Sequence, residues 1–127
     1  MPAYDSAAFR PPGPVALVTV RSPSTGQTVT NISLLIDSGA DVSLLPRDAI
    51  VDLIEDGSES AKYEVEAFDG TKSMAPVVQM EIMFLGRSFR GQFLLVEGPY
   101  GYLGRNILNN VSPLLDGPSL NWSESRR

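Results

Sequence analysis

The hydrophobic positions of this chain recur mostly with the two-residue period of β-strands. Residues 15–20 form a β-branched run, and residues 28–36 begin as an alternation of apolar and polar positions and end as an apolar run. Segments of this kind and length favour strands. The segment between them contains Ser, Pro and Gly, which are common in turns. We therefore predict a hairpin that delivers Asp37 to the loop after its second strand.

The middle of the chain predicts three further strands. Residues 61–67 alternate, residues 74–84 return as a second strand, and residues 89–96 follow after a Gly-containing turn. Asp69-Gly70 lies between the first two, and Asp-Gly is the strongest short-range hairpin signal. We expect a long hairpin with its tip at residues 68–71, followed by a third antiparallel strand.

Helical spacing is confined to two short stretches. After a short strand at residues 43–46, Pro46 opens one stretch that runs to Ile54. Proline is well tolerated at the first helical position, and the apolar residues that follow have roughly helical spacing. Residues 105–111 place their apolar side chains on one side and predict a single short helix near the C-terminus.

The ends of the chain are predicted to differ from the middle. Residues 1–13 contain three prolines and no clear period, so we expect a flexible arm. Residues 14–122 are expected to form one domain whose final strand is residues 119–122. Residues 123–127 are polar and are expected to fray, as chain ends commonly do.

Composition narrows the classes of function. A chain of 127 residues with 43% hydrophobic content is expected to be one globular domain. The formal charge of −5 argues against a nucleic-acid partner, which usually meets a basic patch. No apolar run approaches the roughly 18 residues of a membrane span, and the N-terminus lacks a signal-peptide plan. We expect no membrane partner and a cytoplasmic location, with which the absence of Cys is compatible.

The chain contains neither Cys nor His. Thiolate nucleophiles and Ser-His or Cys-His pairs are therefore excluded. A zinc site of the usual kind is not expected, because His and Cys are its main ligands. Acid–base chemistry would have to come from Asp, Glu, Lys or Tyr.

The candidate chemistry lies in the segment Leu34-Leu35-Ile36-Asp37-Ser38-Gly39-Ala40-Asp41, an apolar run that ends in a small acidic turn. A carboxylate directly after a buried strand is costly unless hydrogen bonds stabilise it. The turn can supply backbone N–H groups and a hydroxyl for this purpose. An ordinary β-barrel domain in which Asp37 only caps a turn is an alternative, because Asp, Ser and Gly are common turn residues.

Over residues 14–122 the order of motifs resembles the retroviral-type (retropepsin-like) aspartic peptidases. Leu35-Ile36-Asp37-Ser38-Gly39-Ala40-Asp41 matches the catalytic loop of that family, and the hairpin around Phe68-Asp69-Gly70 takes the place of its flap. Tyr102-Leu103-Gly104-Arg105-Asn106 matches the family motif that precedes its helix, and the final strand sits where the family has its dimer strand. The resemblance implies an all-β fold, a closed acid-protease barrel with one short C-terminal helix.

The resemblance also implies an aspartic endopeptidase that needs no metal and no cofactor. Two carboxylates must share one water, and a chain with one Asp-Ser-Gly can provide the second only as a homodimer. Asp37 would be catalytic, with Ser38, Gly39 and Ala40 as its loop, and Asp41 and Arg105 would brace that loop. The residues expected to contact a peptide or protein substrate are Gly39, Asp41, Phe68, Asp69, Gly70, Tyr100 and Tyr102.

Two positions depart from the usual family pattern. Val15 stands where members often carry an Arg that pairs with the partner's loop, so that ion pair is not expected. Ala40 offers no hydroxyl to the outer carboxylate oxygen, and a hydroxyl there would stabilise the ionised form. Activity is therefore expected to extend to mildly acidic or near-neutral pH. The alternative on the same fold is a non-catalytic dimerisation or peptide-binding module.

Overall fold

The computed structural model describes residues 3–54, 62–66 and 69–125, and most of these residues lie in strands. Within these ranges the strands are β1 (Tyr4–Asp5), β2 (Gly13–Arg21), β3 (Thr28–Ile36), β4 (Leu44–Pro46), β5 (Lys62–Glu66), β6 (Lys72–Phe84), β7 (Arg87–Val96), β8 (Gly101–Leu103), β9 (Pro113–Asp116) and β10 (Asn121–Glu124). The helical elements of the same ranges are α1 (Arg105–Leu108) and two 3-10 turns, Arg47–Ala49 and Val51–Leu53. The predicted all-β fold with one short helix near the C-terminus is confirmed.

Six strands close into a barrel. The sheet order in the described part of the chain is β1-β2-β3-β8-β4-β7-β6-β5, and β2 pairs in addition with β6. In that extra pairing, residues 19–21 lie opposite residues 81–83. The ring β2-β3-β8-β4-β7-β6 is therefore closed, as predicted, while β1 and β5 lie at its edges. None of the helices in the described ranges has the length and apolar character needed to cross a membrane.

Alternate side chains of the strands fill the barrel core. Val18 and Val20 of β2 are buried, whereas Leu17, which precedes them, is 63% exposed on the other face. Trp122 of β10 is also buried, and its Nε1–H donates a hydrogen bond to the backbone oxygen of Val15 at 2.9 Å. Because that bond satisfies the polar atom of the buried indole, the C-terminal strand is anchored to the first long strand of the barrel.

The stretch that follows Pro46 is not the predicted helix. It forms the two 3-10 turns instead, in which the N–H groups of Ile50 and Leu53 each donate to a carbonyl three residues earlier. The stretch contains several β-branched residues, which lose side-chain freedom in a helix. The tighter turns still bury Ile50 and Leu53 in the core.

The second helix is shorter than predicted, because α1 ends at Leu108 rather than at Val111. The N–H of Val111 donates to the carbonyl of Leu108 in a turn, and the chain then enters β9 at Pro113. A residue before proline favours extended backbone, and proline has no N–H to continue a helix.

The C-terminal region is a hairpin of which only part was predicted. β9 pairs antiparallel with β10, and together they form a separate two-stranded sheet in the described structure. The final strand begins at Asn121 rather than at residue 119, because residues 117–120 form the connecting turn. In that turn the N–H of Leu120 donates to the carbonyl of Gly117 at 3.1 Å. Ser123 and Glu124, predicted to fray, are strand residues.

The N-terminal segment contacts both the first long strand of the barrel and the turn of the C-terminal hairpin. Tyr4 and Asp5 of β1 pair with β2, and the N–H of Tyr4 donates to the carbonyl of Leu120 at 3.0 Å. The sequence predicted a flexible arm here, whereas these two residues are paired in a strand. The division into an arm, a domain at residues 14–122 and a tail stays a prediction.

Candidate active site

Asp37 follows directly after β3, next to the parallel strand β8. Ile36 lies opposite Leu103 in the register of these two strands. The backbone N–H of Asp37 donates to the carbonyl of Leu103 at 3.0 Å, which continues the ladder by one step. The sheet thus determines where the backbone of Asp37 lies.

Alternation along β3 and β8 separates two faces of the sheet at this point. Leu34 and Leu103 are fully buried on the core side. Leu35 lies opposite Tyr102, and residues two positions apart in a strand share a face. These residues are only half-buried. We call this side the open face, and its members are Leu35, Asp37, Tyr100 and Tyr102.

The loop after β3 folds around the carboxylate of Asp37. The N–H of Gly39 donates to Asp37 Oδ1 at 2.9 Å, and the N–H of Ala40 donates to the carbonyl of Asp37 at 3.1 Å. A Cβ on Gly39 would lie 3.1 Å from Asp37 Oδ1, so glycine suits this close approach. Within the described residues Oδ2 accepts no hydrogen bond, so one carboxylate oxygen is held and the other is available.

Arg105 connects the same loop to α1. Its Nη2 donates to the carboxylate of Asp41, and its Nη1 donates to the carbonyl of Ser38 at 2.7 Å. The backbone N–H groups of Arg105 and Asn106 donate to the carbonyls of Ala40 and Asp41 at 2.8 and 3.2 Å. The side chain of Asp41 is 83% exposed, so the ion pair contributes only about 0–1 kcal/mol. The carbonyl bonds are what position the loop.

A buried network beneath the loop was missed at the sequence level. Ser43 is fully buried, and its hydroxyl donates to Asn106 Oδ1 at 2.8 Å and accepts from the N–H of Gly104 at 2.9 Å. The N–H of Ser43 donates to the same Asn106 oxygen at 3.0 Å. A Cβ on Gly104 would lie 2.5 Å from the carbonyl oxygen of Val42, so this approach requires glycine. The sequence feature that could have revealed this network is Ser43 itself, a polar residue directly before the apolar strand β4.

The two candidate tyrosines lie together on the open face. Their rings meet edge to face, with centroids 5.7 Å apart and an interplanar angle of 69°. Burial raises the pKa of Tyr102, and Tyr100 and the charge of Asp37 raise it further. Tyr102 lies opposite Leu35 in the strand register, and Asp37 is two positions further along, so the tyrosine and the carboxylate share the open face.

The hairpin of β5 and β6 is present, and its tip is described in part. Phe68 lies outside the described residues. The N–H of Thr71 donates to Asp69 Oδ1 at 2.9 Å, and hydrogen bonds from the hydroxyl and N–H of Thr71 hold the pKa of Asp69 below its ordinary value. Gly70 has φ +88°, which suits the turn. No hydrogen bond among the described residues joins Asp69 or Gly70 to the Asp37 loop.

The base of that hairpin contacts the residues that follow the Asp37 loop. Ala75 and Val77 of β6 and Leu94 of β7 form a small buried cluster. Val42 and Leu44, which follow the loop, pack against it. Because of these apolar contacts, a displacement of the hairpin would also displace the loop.

In a single chain, the residues of the Asp37 loop and the open face can support acid–base chemistry by one carboxylate. Within the described ranges no group of three or more Asp and Glu side chains could hold a metal ion. The loop offers backbone N–H groups, a serine hydroxyl, the half-buried carboxylate of Asp37 and the exposed carboxylate of Asp41. Of these carboxylates, only Asp37 lies on the open face beside the tyrosines.

Comparisons with known proteins bear on the fold. No model of a protein family matches the chain, and no curated protein matches it in sequence. Among solved structures, the chain is similar to the EIAV protease complexed with the inhibitor HBY-793. The TM-score is 0.56 at 23% sequence identity, and the match covers 77% of this chain and 86% of that chain. At this identity the likeness extends to the fold, so the chain has a retropepsin-like fold.

Proposed function

We propose that the chain is an aspartic endopeptidase that acts as a homodimer. The observation that carries the proposal is the setting of Asp37. One of its carboxylate oxygens is held by Gly39, and its loop is bound to α1 by Arg105 and lies above the buried Ser43 network. A turn cap would need only the first of these contacts. Support from surrounding hydrogen bonds is expected where a reactive group must be held precisely oriented.

The chemistry requires a second carboxylate beside Asp37. Two carboxylates that share a site do not both ionise at low cost, so one is protonated and the pair titrates as a unit. The ionised Asp accepts a proton from water as the water oxygen bonds to the scissile carbonyl carbon. The protonated Asp donates its proton to the carbonyl oxygen. The tetrahedral intermediate then breaks its C–N bond as the nitrogen receives a proton from one Asp and a hydroxyl of the intermediate returns a proton to the other, so the dyad again holds one proton.

A twofold homodimer supplies the second carboxylate, because the chain contains one Asp-Ser-Gly. The hairpin of β9 and β10 offers an apolar surface for such an association. We call it the leucine surface, and its members Leu114, Leu115 and Leu120 are 57%, 50% and 46% exposed. Several large apolar side chains left exposed on one hairpin are typical of a protein interface.

The substrate of this proposed peptidase is an extended peptide. β5 lies at the edge of the described sheet, so a peptide can pair with this hairpin as an added strand. Gly39, Asp41, Asp69 and Gly70, with Phe68, are the proposed contacts to its backbone. Tyr100 and Tyr102 give the cleft beside Asp37 an aromatic wall, so we expect preference for apolar or aromatic side chains at the cut.

Peptide cleavage tests the proposal directly. A mixed peptide library is incubated with the wild type and with Asp37→Asn between pH 4 and pH 8, and the products are identified by mass spectrometry. Loss of a general acid–base group typically costs about 10²–10⁴-fold in rate. We expect cleavage by the wild type, extending to near-neutral pH because Ala40 provides no hydroxyl, and at least about a hundredfold less by the variant.

The control is Asp52→Asn, which removes an exposed carboxylate on the 3-10 turn Val51–Leu53, outside the candidate site, and should leave the activity unchanged. Equal cleavage by the wild type and Asp37→Asn would refute the assignment of Asp37. Absence of cleavage by a wild type that sediments as a dimer and binds peptides would favour a non-catalytic peptide-binding module.

A further inference from the structure

The N-terminal segment returns to the open face after β1. The N–H groups of Ala7 and Ala8 both donate to Asp5 Oδ1, at 2.8 and 2.9 Å. This turn redirects the chain so that Phe9 lies over the start of β2. A Cβ on Gly13 would lie 3.3 Å from Phe9 Cγ and 2.8 Å from Leu35 Cδ1. The absence of a side chain at Gly13 therefore makes room for Phe9 beside a member of the open face.

Phe9 continues the pair of tyrosines into a row of three rings. The rings of Phe9 and Tyr100 meet edge to face, with centroids 4.5 Å apart and an interplanar angle of 61°. Tyr100 in turn contacts Tyr102 at 5.7 Å. The row runs from the N-terminal segment to Tyr102, which shares the open face with Asp37.

Tyr100 has a particular need for such a contact. It precedes β8 and follows Gly98 and Pro99, so it belongs to a connection rather than to the sheet. Gly98 has φ +113°, a conformation that an L side chain rarely adopts. Ring contacts on its two sides, from Phe9 and Tyr102, thus determine the orientation of Tyr100.

We infer that Phe9 is a positioning residue for the Tyr100–Tyr102 wall and thereby determines which peptide side chains the cleft accepts. The inference rests on the proposed function and adds a determinant of its specificity. With the wall fixed, the cleft presents ring edges and faces to an aromatic or large apolar side chain next to the scissile bond. Without Phe9, Tyr100 can turn into the space that Phe9 leaves, and this preference weakens.

The kinetic test compares three variants on two peptides that differ only in a Phe or an Ala next to the scissile bond. Phe9→Leu keeps the apolar volume but removes the ring, Phe9→Tyr keeps the ring, and Phe89→Leu is the matched control. Phe89 is a half-buried residue of β7 that packs on the core away from the open face. Edge-to-face contacts predict that Phe9→Leu raises KM for the Phe peptide by about two- to tenfold. The kcat on the Ala peptide should not change.

Phe9→Tyr should behave as the wild type, and Phe89→Leu should not alter the ratio between the two peptides. If Phe9→Leu changes both peptides equally, or changes them as Phe89→Leu does, the inference is overturned while the peptidase function stands. If the ratio shifts only in Phe9→Leu, the inference is supported.

A second readout does not depend on catalysis. The pKa of Tyr102 is raised by burial and by Tyr100, so a displaced Tyr100 should bring it closer to the ordinary tyrosine value. This is measured by NMR titration of ¹³C-labelled tyrosine in the wild type, Phe9→Leu and Phe89→Leu. If the wild type cleaves no peptide, the proposed function fails, and the titration still decides on Phe9. An unchanged Tyr102 pKa in Phe9→Leu overturns the positioning role, and a decrease seen only in that variant supports it.

Discussion

At the scale of single residues, the Asp37 loop depends on the hydroxyl of Ser43. This hydroxyl is both donor and acceptor, and it joins Asn106 on α1 to the N–H of Gly104 just before it. Both partners lie more than sixty positions along the chain from Ser43. A buried N–H that loses its acceptor costs more than the net value of an exposed hydrogen bond. The network therefore stabilises the loop and the helix together.

Ser43→Ala should lower the free energy of unfolding by about 1–3 kcal/mol, because it leaves the N–H of Gly104 without its acceptor. Urea denaturation followed by tryptophan fluorescence measures this change, since Trp122 lies in the core. Ser22→Ala is the matched control. Ser22 is equally buried, but its hydroxyl has longer contacts, with Ser24 Oγ at 3.1 Å and the N–H of Thr25 at 3.5 Å. A larger loss in Ser22→Ala would contradict the importance of the network.

At the scale of elements, the loop and α1 are one structural unit. α1 has four residues, far fewer than an isolated helix needs to be stable in water. Its first N–H groups donate to the carbonyls of Ala40 and Asp41, and the side chain of Arg105 reaches back to Ser38. The helix thus satisfies its terminal donors with the loop, and the loop takes its shape from the helix.

Arg105→Ala should increase the dissociation constant of the proposed dimer about tenfold or more, because a hydrogen bond from a charged group typically contributes about 1.5–3 kcal/mol. Analytical ultracentrifugation measures this constant. Arg105→Lys should recover only part of the loss, since Lys cannot contact Asp41 and the carbonyl of Ser38 with a planar fork. Arg21→Ala removes an arginine that pairs with Glu81 elsewhere on the barrel and is the control. An unchanged dissociation constant in Arg105→Ala would count against the brace.

At the scale of the whole molecule, the proposed homodimer would account for two features, the exposed leucine surface and the single Asp-Ser-Gly of the chain. β9 carries Leu114 and Leu115, which are neighbours in the strand and so lie on opposite faces, and both are exposed in one chain. Trp122 anchors the hairpin to the barrel through Val15. The hairpin is therefore held at the surface with its apolar side chains outward.

Leu114→Ser should weaken the proposed dimer at least about tenfold without unfolding the chain, because burial of a leucine contributes about 1.5–3 kcal/mol. Sedimentation gives the dissociation constant, and circular dichroism reports the fold. Val51→Ser is the control, since Val51 is 55% exposed on a 3-10 turn outside the hairpin. Equal effects of both substitutions on the dimer would place the interface elsewhere.

The parts of this structure that could be read from sequence are those with local causes. The alternation of residues 28–36, the Asp-Gly turn and the long hairpin follow from side-chain period and turn chemistry, which act over a few residues. The candidate loop could be located for the same reason, because an acidic turn directly after an apolar strand is a local pattern.

Tertiary structure decided what depends on distant partners. Closure of the barrel by β2 and β6, and the insertion of β8 between β3 and β4, come from pairings that no local pattern specifies. The expected arm instead brings Phe9 against Tyr100, because packing outweighs weak local preference. Local pattern thus identified Asp37 as the candidate, whereas the contacts that hold its loop arise only when the chain is folded.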